Sequence, residues 1–530
     1  MGRFIPLSIP NFEGNERKYV DDAIDQGWVS TGGQYITKLE HEMEKYLNVS
    51  EVAACQSGTA GIHLSLVEAG IAPGDIVIVP TLTFIAAVNP VKYQFANPVF
   101  MDCDESLCMD PVKLRLFCEE ECNFSEGKLV HKKSGKVVKA VIVVHVFGNL
   151  ADMEAITAIA DKYNLVVIED ATEALGSEYK EGKNAGKMAG TIGDYGVFSF
   201  NGNKIITTGG GGAVTAKDPV KVEHIRYLST QAKDDTHFYI HNEVGFNYRM
   251  TNIQAALGVA QMEELEEFVL RKRKNYDLYV RDFDEFELGK MVRFRLGTDS
   301  NKWFYSLEIN MNKVKATMRE IVHELETRGI GTRPIWGLIH EQLPYKNELV
   351  YKIEKAVYYS KCILNLPCST NIKEEDIENE LKDIEINISL KEESKQTEQF
   401  FKNVNRSYIH KRNNSNYLFK GKYYCMGRFA LEVIRDIVRK NPKITFSELE
   451  KFIPEELQNR TNGVVERLED VKARKFGSKD TGKRYFMEDD EIIHLFDGTQ
   501  VVVYTQWVSY GNFKTFKNAI ERYYSIDEKD

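Results

Sequence analysis

Lys204 lies in surroundings that suit covalent chemistry. It falls between Gly202 and a run of four glycines at 209–212, in a stretch of otherwise small or apolar residues. Glycine lets a backbone approach a ligand closely, and a lysine amine forms an imine with an aldehyde cofactor. Ser199 could add a hydroxyl to a phosphate site. Without other evidence, a loop lysine is usually only a solvated charge.

Three earlier features suit the same kind of cofactor. The residues SGTA at 57–60 open an apolar helical pattern, and a helix N-terminus attracts phosphate, although an ordinary N-cap explains the same residues. Phe84 follows the apolar run at 76–80 and could stack on a pyridine ring or belong to the core. Asp170 closes another apolar run, where it could pair with the ring nitrogen of pyridoxal phosphate or cap a helix.

The elements that position these residues alternate along the chain. Short apolar runs at 76–79, 98–101, 140–144 and 165–168 are separated by helical patterns such as 153–163. Apolar runs buried on both faces predict a mostly parallel sheet between helices, with ligands beyond the carboxyl ends of the strands. A charged helix is predicted around 252–274 and a helical segment at 374–376.

The order of these motifs resembles the DegT/DnrJ/StrS family of sugar aminotransferases, a branch of the fold-type I pyridoxal-phosphate enzymes. The likeness covers about residues 3–388. It includes GWVS at 27–30, SGTA at 57–60, PTLTF at 80–84, EDA at 169–171 and GFNYRM at 245–250. The resemblance implies a large α/β domain that binds pyridoxal 5′-phosphate over residues 1–245 and a small α/β domain over 246–388.

The resemblance also implies roles for individual residues. Lys204 is expected to be the Schiff-base lysine and catalytic base, and Asp170 to hold the pyridine nitrogen. Phe84 is expected to stack on the ring. Gly58, Thr59, Ala60 and Ser199 are expected at the phosphate, and Asn247 at the phosphate of a neighbouring subunit, which implies a homodimer with shared sites. Many members carry Gln or His where this chain has Glu173, so the contact of that residue with the cofactor hydroxyl stays open.

A finer likeness concerns the substrate. The segments FNGNKIITTGGGG at 200–212, QAKDD at 231–235 and TRPIW at 332–336 resemble the LegC/PglE subgroup. That resemblance implies transfer of an amino group from L-glutamate to C4 of a UDP-linked 4-keto-6-deoxy-N-acetylhexosamine. Arg333 and His340 are candidates for binding the donor carboxylate or the diphosphate, although a surface salt bridge explains each equally well.

Three alternatives stay open at this stage. The first is a GDP-perosamine synthase, a close relative that acts on a GDP-linked sugar. The second is a sugar dehydratase, in which histidine replaces the lysine, so that Lys204 argues against it. The third is a regulatory protein built on the same fold.

The last 130 residues form a different segment. Residues 401–530 carry a formal charge of +5, whereas the whole chain carries −10. We expect a linker at 389–400, helices at 428–440, 446–457, 463–475 and 512–524, and a hairpin at 492–503 turning at Asp497-Gly498. This α+β order is compatible with a winged helix that binds nucleic acid, but the modest charge favours a protein–protein or oligomerisation module.

The remaining features indicate a cytoplasmic protein. The eight cysteines are scattered without metal-ligand spacing, which favours reduced thiols and no metal site. No apolar run approaches the roughly 20 residues that a membrane helix needs.

Overall fold

The computed structural model describes residues 4–235, 237–283, 288–314 and 316–377, together with short stretches nearer the C-terminus. Those stretches are 416–419, 422–425, 434, 437–439, 449, 465–467, 493–495, 500–503 and 527–529. The chain divides into two compact units, residues 1–393 and residues 394–530.

The helices of the first unit are, in chain order, α1 (Glu16–Asp25), α2 (Gln34–Leu47), α3 (Gly58–Glu68), α4 (Asn89–Tyr93), α5 (Pro111–Glu120), α6 (Met153–Tyr163), α7 (Pro219–Ser229), α8 (Asn252–Phe283), α9 (Met318–Thr327) and α10 (Lys355–Cys362). Its strands are β1 (Ala53–Cys55), β2 (Ile76–Pro80), β3 (Asn97–Met101), β4 (Cys122–Ser125), β5 (Lys128–His131), β6 (Val137–Val144), β7 (Val166–Asp170), β8 (Glu178–Tyr179), β9 (Tyr195–Ser199), β10 (Gly212–Ala216), β11 (Gly289–Met291), β12 (Thr298–Asp299), β13 (Tyr305–Ile309), β14 (Arg333–Pro334), β15 (Leu349–Tyr351) and β16 (Ile363–Leu366).

The main sheet has the strand order β1-β10-β9-β7-β6-β2-β3-β15. In this spatial order, every neighbouring pair between β9 and β15 is parallel. At the other edge, β10 pairs antiparallel with β9, and β1 pairs antiparallel with β10. The central strands β2 and β6 are buried along nearly their whole length, because both faces of a parallel sheet are covered by helices. The predicted α/β class and the mostly parallel sheet are confirmed.

A smaller antiparallel sheet follows, with the order β11-β13-β16-β14. The chain reaches it through α8, which extends the helix predicted at 252–274 to Phe283. Residues 374–377 are helical, as expected. Strand β15 leaves this region and returns to the main sheet, where Val350 pairs with Phe100.

The second unit is described only in short stretches. Its strands include 465–467, 493–494 and 500–503, and the last two form an antiparallel pair as the predicted hairpin requires. Residues 465–467 lie inside the helix predicted at 463–475, and that prediction is wrong there, because pairing with 501–503 overrides the local helical period. The turn at 497–498, the helix at 512–524 and the linker at 389–400 lie outside the described residues. Residues 434, 437–439 and 449 are helical.

No helix in the described part of the chain is long and apolar enough to cross a membrane.

Candidate active site

A cavity of about 530 Å³ opens at the carboxyl ends of the parallel strands of the main sheet. Val144, Asp170 and Ser199 are the last residues of β6, β7 and β9, and all three line it. Parallel strands end at one edge of a sheet, so residues distant in sequence meet there. The predicted site residues that line this cavity are Gly58, Thr59, Phe84, Asp170, Glu173, Ser199, Lys204 and Arg333.

The start of α3 forms one wall of the cavity. Ser57 caps the helix, with its hydroxyl accepting a hydrogen bond from the amide of Ala60 at 3.0 Å. A Cβ at Gly58 would lie 2.8 Å from Thr172 Cγ2 and 3.1 Å from Ser199 Cβ, so glycine is required at this position. The first amides of a helix lack intrahelical acceptors and suit an anion. Ala60 itself does not line the cavity.

Asp170 forms the floor of the cavity and is buried. Its carboxylate accepts a hydrogen bond from the amide of Thr172 at 3.1 Å. Burial raises the pKa of Asp170, and the hydrogen bonds of Thr172 and the charge of Lys204 only partly oppose that rise. A buried carboxylate of this kind is stabilised by a cationic partner in the cavity.

Lys204 and Glu173 both line the cavity and contact each other. Lys204 Nζ lies 3.3 Å from Glu173 Oε1, and Glu173 Oε2 accepts a hydrogen bond from the amide of Phe147 at 2.8 Å. Burial raises the pKa of Glu173, while the Lys204 ammonium acts against that rise. The carboxylate that departs from the family pattern is therefore beside the Lys204 amine.

Trp303 is a neighbour of Lys204 that the sequence analysis missed. The amine lies 4.1 Å from the centroid of the Trp303 ring, and the indole N–H donates a hydrogen bond to the carbonyl of Asn203 at 2.8 Å. The buried ammonium of Lys272 holds the Trp303 carbonyl. Trp303 opens an apolar aromatic run before β13, and such a run is indistinguishable from a core strand in sequence.

Phe84 lines the cavity with an exposed ring, 55% accessible. Two other predicted residues do not reach this cavity. His340 Nδ1 lies 2.6 Å from Thr81 Oγ1, beneath the loop that carries Phe84. Asn247 is exposed, and its side-chain oxygen accepts a hydrogen bond from Gln231 at 2.9 Å.

A second buried pair, His145 and Glu169, is joined to Asp170 by a hydrogen bond from the His145 amide to the Asp170 carbonyl at 3.1 Å. His145 Nε2 lies 2.9 Å from Glu169 Oε2, and His145 Nδ1 accepts from the amide of Ala151, so Nε2 carries the proton donated to Glu169. Glu169 also accepts the amides of Gly190, Ile192 and Gly193. Burial acts to raise the pKa of Glu169, but His145 and these amides bring it below its ordinary value.

Comparisons with known proteins identify the family of the chain. The model of the DegT/DnrJ/EryC1/StrS aminotransferase family matches residues 10–385. A GDP-perosamine synthase from Caulobacter vibrioides is 35% identical over 376 residues, covering 71% of this chain and 95% of that protein. A UDP-4-amino-4,6-dideoxy-N-acetyl-beta-L-altrosamine transaminase from Campylobacter jejuni is 27% identical, covering 66% of this chain and 88% of that protein.

Among solved structures, a DegT DnrJ EryC1 StrS aminotransferase from Brucella abortus superposes with a TM-score of 0.63 and 26% identity, covering 71% of this chain and 95% of that one. The family match extends over most of the first unit, where the cavity and its lysine lie. The chain belongs to the DegT/DnrJ/EryC1/StrS aminotransferase family, whose cofactor is pyridoxal 5′-phosphate.

Proposed function

We propose that this aminotransferase moves an amino group from L-glutamate to C4 of a nucleotide-linked 4-keto-6-deoxy sugar, with UDP-4-keto-6-deoxy-N-acetylhexosamine as the acceptor. The observation that carries the proposal is the placement of the Lys204 amine in an open cavity with Asp170 and Glu173. An amine able to form an imine, in one cavity with a buried carboxylate that can pair with the ring nitrogen, is what amino transfer through pyridoxal phosphate requires. The choice of sugar rests on the likeness of segments 200–212, 231–235 and 332–336 to the LegC/PglE subgroup.

Pyridoxal 5′-phosphate fits the residues of this cavity. Asp170 would face the pyridine nitrogen, which supplies the positive charge that a buried carboxylate needs. The amides of Gly58 and Thr59 and the hydroxyl of Ser199 would hold the phosphate, and the exposed ring of Phe84 would cover one face of the cofactor. When bound, the cofactor supplies an electron sink for the carbanion formed at the reacting carbon.

The residues of this chain then account for the proton movements. Lys204 Nζ takes the proton from Cα of the amino donor and delivers a proton to C4 of the sugar in the return half-reaction. Glu173, 3.3 Å from that nitrogen, orients the amine within the cavity. The face of the Trp303 ring, 4.1 Å from that nitrogen, covers part of the amine.

A GDP-linked acceptor is the second candidate. The Caulobacter vibrioides relative, which is 35% identical over nearly its whole length, is named a GDP-perosamine synthase. Arg333 lines the cavity and suits the diphosphate of either nucleotide sugar, because guanidinium groups bind phosphate in a bidentate manner. The two candidates differ in the nucleoside and in the acetamido group of the sugar.

The decisive experiment is mass spectrometry of products formed from glutamate and a panel of UDP- and GDP-linked 4-keto sugars. We expect a single aminated sugar, together with 2-oxoglutarate, from the UDP-linked acetamido substrate. Lys204→Ala and Lys204→Arg should abolish both the product and the visible absorbance of the lysine-bound cofactor. Lys183→Ala, which removes an exposed lysine, is the matched control. Amination of the GDP-linked sugar alone would support the second candidate, and no amination of any sugar would contradict the proposal.

We further propose that the active sites are shared between two subunits through Asn247. Asn247 is exposed and does not line the cavity of its own chain, which is the position expected of a residue that completes a neighbouring site. Lys204→Ala and Asn247→Ala homodimers should each have low activity. Refolding the two variants together should restore part of it, because mixed dimers contain one intact site. Failure of the mixture to recover activity would place Asn247 in its own subunit's site.

A further inference from the structure

Trp303 contacts both the amine of Lys204 and the loop that carries it. The amine lies 4.1 Å from the centroid of the indole ring, and the indole N–H donates to the carbonyl of Asn203 at 2.8 Å. Asn203 directly precedes Lys204 in the chain. One side chain therefore restrains the backbone and the nitrogen of the same lysine.

Trp303 is itself held in one orientation. Its amide donates to Asn301 Oδ1 at 3.0 Å, and its carbonyl accepts from the buried ammonium of Lys272. Its ring stacks on that of Phe304, with centroids 4.0 Å apart and planes 6° apart. A side chain whose rotamer is fixed by packing and hydrogen bonds can hold a reactive group precisely.

Asn301 connects Trp303 to the other contact of the amine. Its Nδ2 donates to the carbonyl of Glu173 at 3.0 Å, while its Oδ1 accepts from Trp303. Asn301 is fully buried and does not line the cavity. The Glu173 carboxylate lies 3.3 Å from Lys204 Nζ. The amine is therefore bounded by a carboxylate and an aromatic ring whose backbones share one asparagine side chain.

Phe147 completes this arrangement with a strained backbone. Its φ of 57° and ψ of 22° lie in the left-handed region, which a bulky residue rarely adopts. Its amide donates to Glu173, and its ring centroid lies 6.1 Å from that of Trp303. Strained conformations persist where the surrounding structure over-determines them, and they concentrate at functional sites. The strain therefore supports a functional reason for keeping Glu173 and Trp303 at a fixed separation.

Restraint of this kind matters for a lysine that transfers protons. The lysine amine is carried on a flexible four-carbon stem, so an unrestrained amine spends little time at any one position. Proton transfer requires the donor and the acceptor to be within hydrogen-bond distance and correctly oriented. Contacts with Glu173 and with the Trp303 ring reduce the number of positions available to the amine.

We infer that Trp303 is a positioning residue that directs the Lys204 amine during proton transfer. This inference rests on the proton-transfer role proposed for Lys204, and it does not depend on which nucleotide sugar is the acceptor. Trp303 acts on the rate of proton transfer and not on the affinity for the amino donor.

The reaction of the holoenzyme with glutamate alone, followed by the visible absorbance of the lysine-bound cofactor, tests the inference. Trp303→Leu should slow the rate at saturating glutamate about 10- to 30-fold, because the amine regains its rotamers. Trp303→Phe keeps an aromatic face without the N–H and should slow it about three- to tenfold. The glutamate concentration that gives half the maximal rate should change less than about twofold in either variant.

Phe124→Leu is the control for the loss of an aromatic ring. Phe124 lies on β4, is 43% exposed and does not line the cavity. Its substitution should leave the rate with glutamate unchanged. The thermal midpoint and the absorbance of the bound cofactor show whether each variant keeps its fold.

Acetylation of lysines gives a second readout that does not depend on turnover. Excess glutamate frees the Lys204 amine of the holoenzyme, and brief acetylation followed by mass spectrometry of peptides then measures how readily the amine reacts. Lys183 is exposed and serves as the reference in the same sample. Relative to Lys183, Lys204 should be acetylated about tenfold faster in Trp303→Leu than in the wild type, because the ring no longer covers and restrains it.

The outcomes distinguish this inference from the proposed function. If Trp303→Leu reacts as fast as Phe124→Leu, if only its half-saturating glutamate concentration rises, or if its Lys204 is acetylated no faster, Trp303 does not position the amine. If Lys204→Ala releases 2-oxoglutarate from glutamate as fast as the wild type, the role proposed for Lys204 fails and this inference fails with it. If Trp303→Leu is slow as expected while no sugar is aminated, the inference stands and the proposed acceptor is wrong.

Discussion

Glu169→Gln should destabilise the first unit strongly, although Glu169 does not line the cavity. The carboxylate is fully buried and accepts from His145 and Gly190 on one oxygen and from Ile192 and Gly193 on the other. Glutamine has the same shape but keeps one acceptor oxygen, so its amide group would point at two N–H donors. Two hydrogen bonds to a charged group, at about 1.5–3 kcal/mol each, give an expected loss of about 3–6 kcal/mol.

The effect of Glu169→Gln should also depend on pH. The folded pKa of Glu169 is lowered from its ordinary value of 4.5, because the bonds from His145 and the backbone amides outweigh burial. A lowered carboxyl pKa contributes stability that is fully present above the unfolded pKa and is lost as pH falls through the folded pKa. The difference in stability between wild type and variant should therefore be constant near neutral pH and shrink below pH 4.5.

Urea denaturation of the holoenzyme, followed by far-ultraviolet circular dichroism and by the visible absorbance of the cofactor, measures this effect. Glu178→Gln is the matched control, since Glu178, at the start of β8, forms a partly exposed ion pair with Lys180. Surface pairs contribute about 0–1 kcal/mol, so the control should unfold almost like the wild type. A Glu169→Gln midpoint within the range of the control would refute the role given to this buried carboxylate.

Three further predictions follow from other contacts. Asp170→Asn should weaken cofactor binding about 10- to 100-fold, because a neutral amide cannot balance a pyridinium, and titration of the apoenzyme with cofactor measures the loss. Gly196→Ala should prevent correct folding, since its Cβ would lie 1.8 Å from the Gly190 carbonyl oxygen, and soluble yield against Gly202→Ala, where no atom lies within 4 Å, checks this. Lys272→Met should lower the free energy of unfolding in urea by about 1–3 kcal/mol, because the carbonyls of Trp303 and Cys368 lose their buried donor, and an unchanged urea midpoint would contradict it.

Much of the first unit can be predicted from local sequence. The apolar runs at 76–79 and 140–144 are buried in the structure as central parallel strands, because a run of β-branched residues fits a sheet covered on both faces. Ser57 precedes an apolar helical pattern and caps α3, because serine is one of the preferred N-cap residues. Asp170 is the polar residue at the end of such a run, so it lies at the carboxyl ends of the parallel strands, where ligands bind.

Other features depend on contacts that no local pattern contains. The sequence between 463 and 475 has a helical period, yet 465–467 form a strand because a partner at 501–503 is available. Strand β15 returns to the main sheet from a region otherwise occupied by the small sheet, and only its pairing with Phe100 and its neighbours reveals this. In both cases backbone hydrogen bonds with a distant segment decide the conformation.

The sequence by itself determined which lysine is the candidate for the imine and which motifs accompany it along the chain. Gly202, the glycines at 209–212 and the strand-end Asp170 can all be identified without a structure. Only the tertiary structure decided what surrounds that amine. Trp303 is about a hundred residues away in the chain, and the Phe147 amide that holds Glu173 is a backbone group with no signature in sequence.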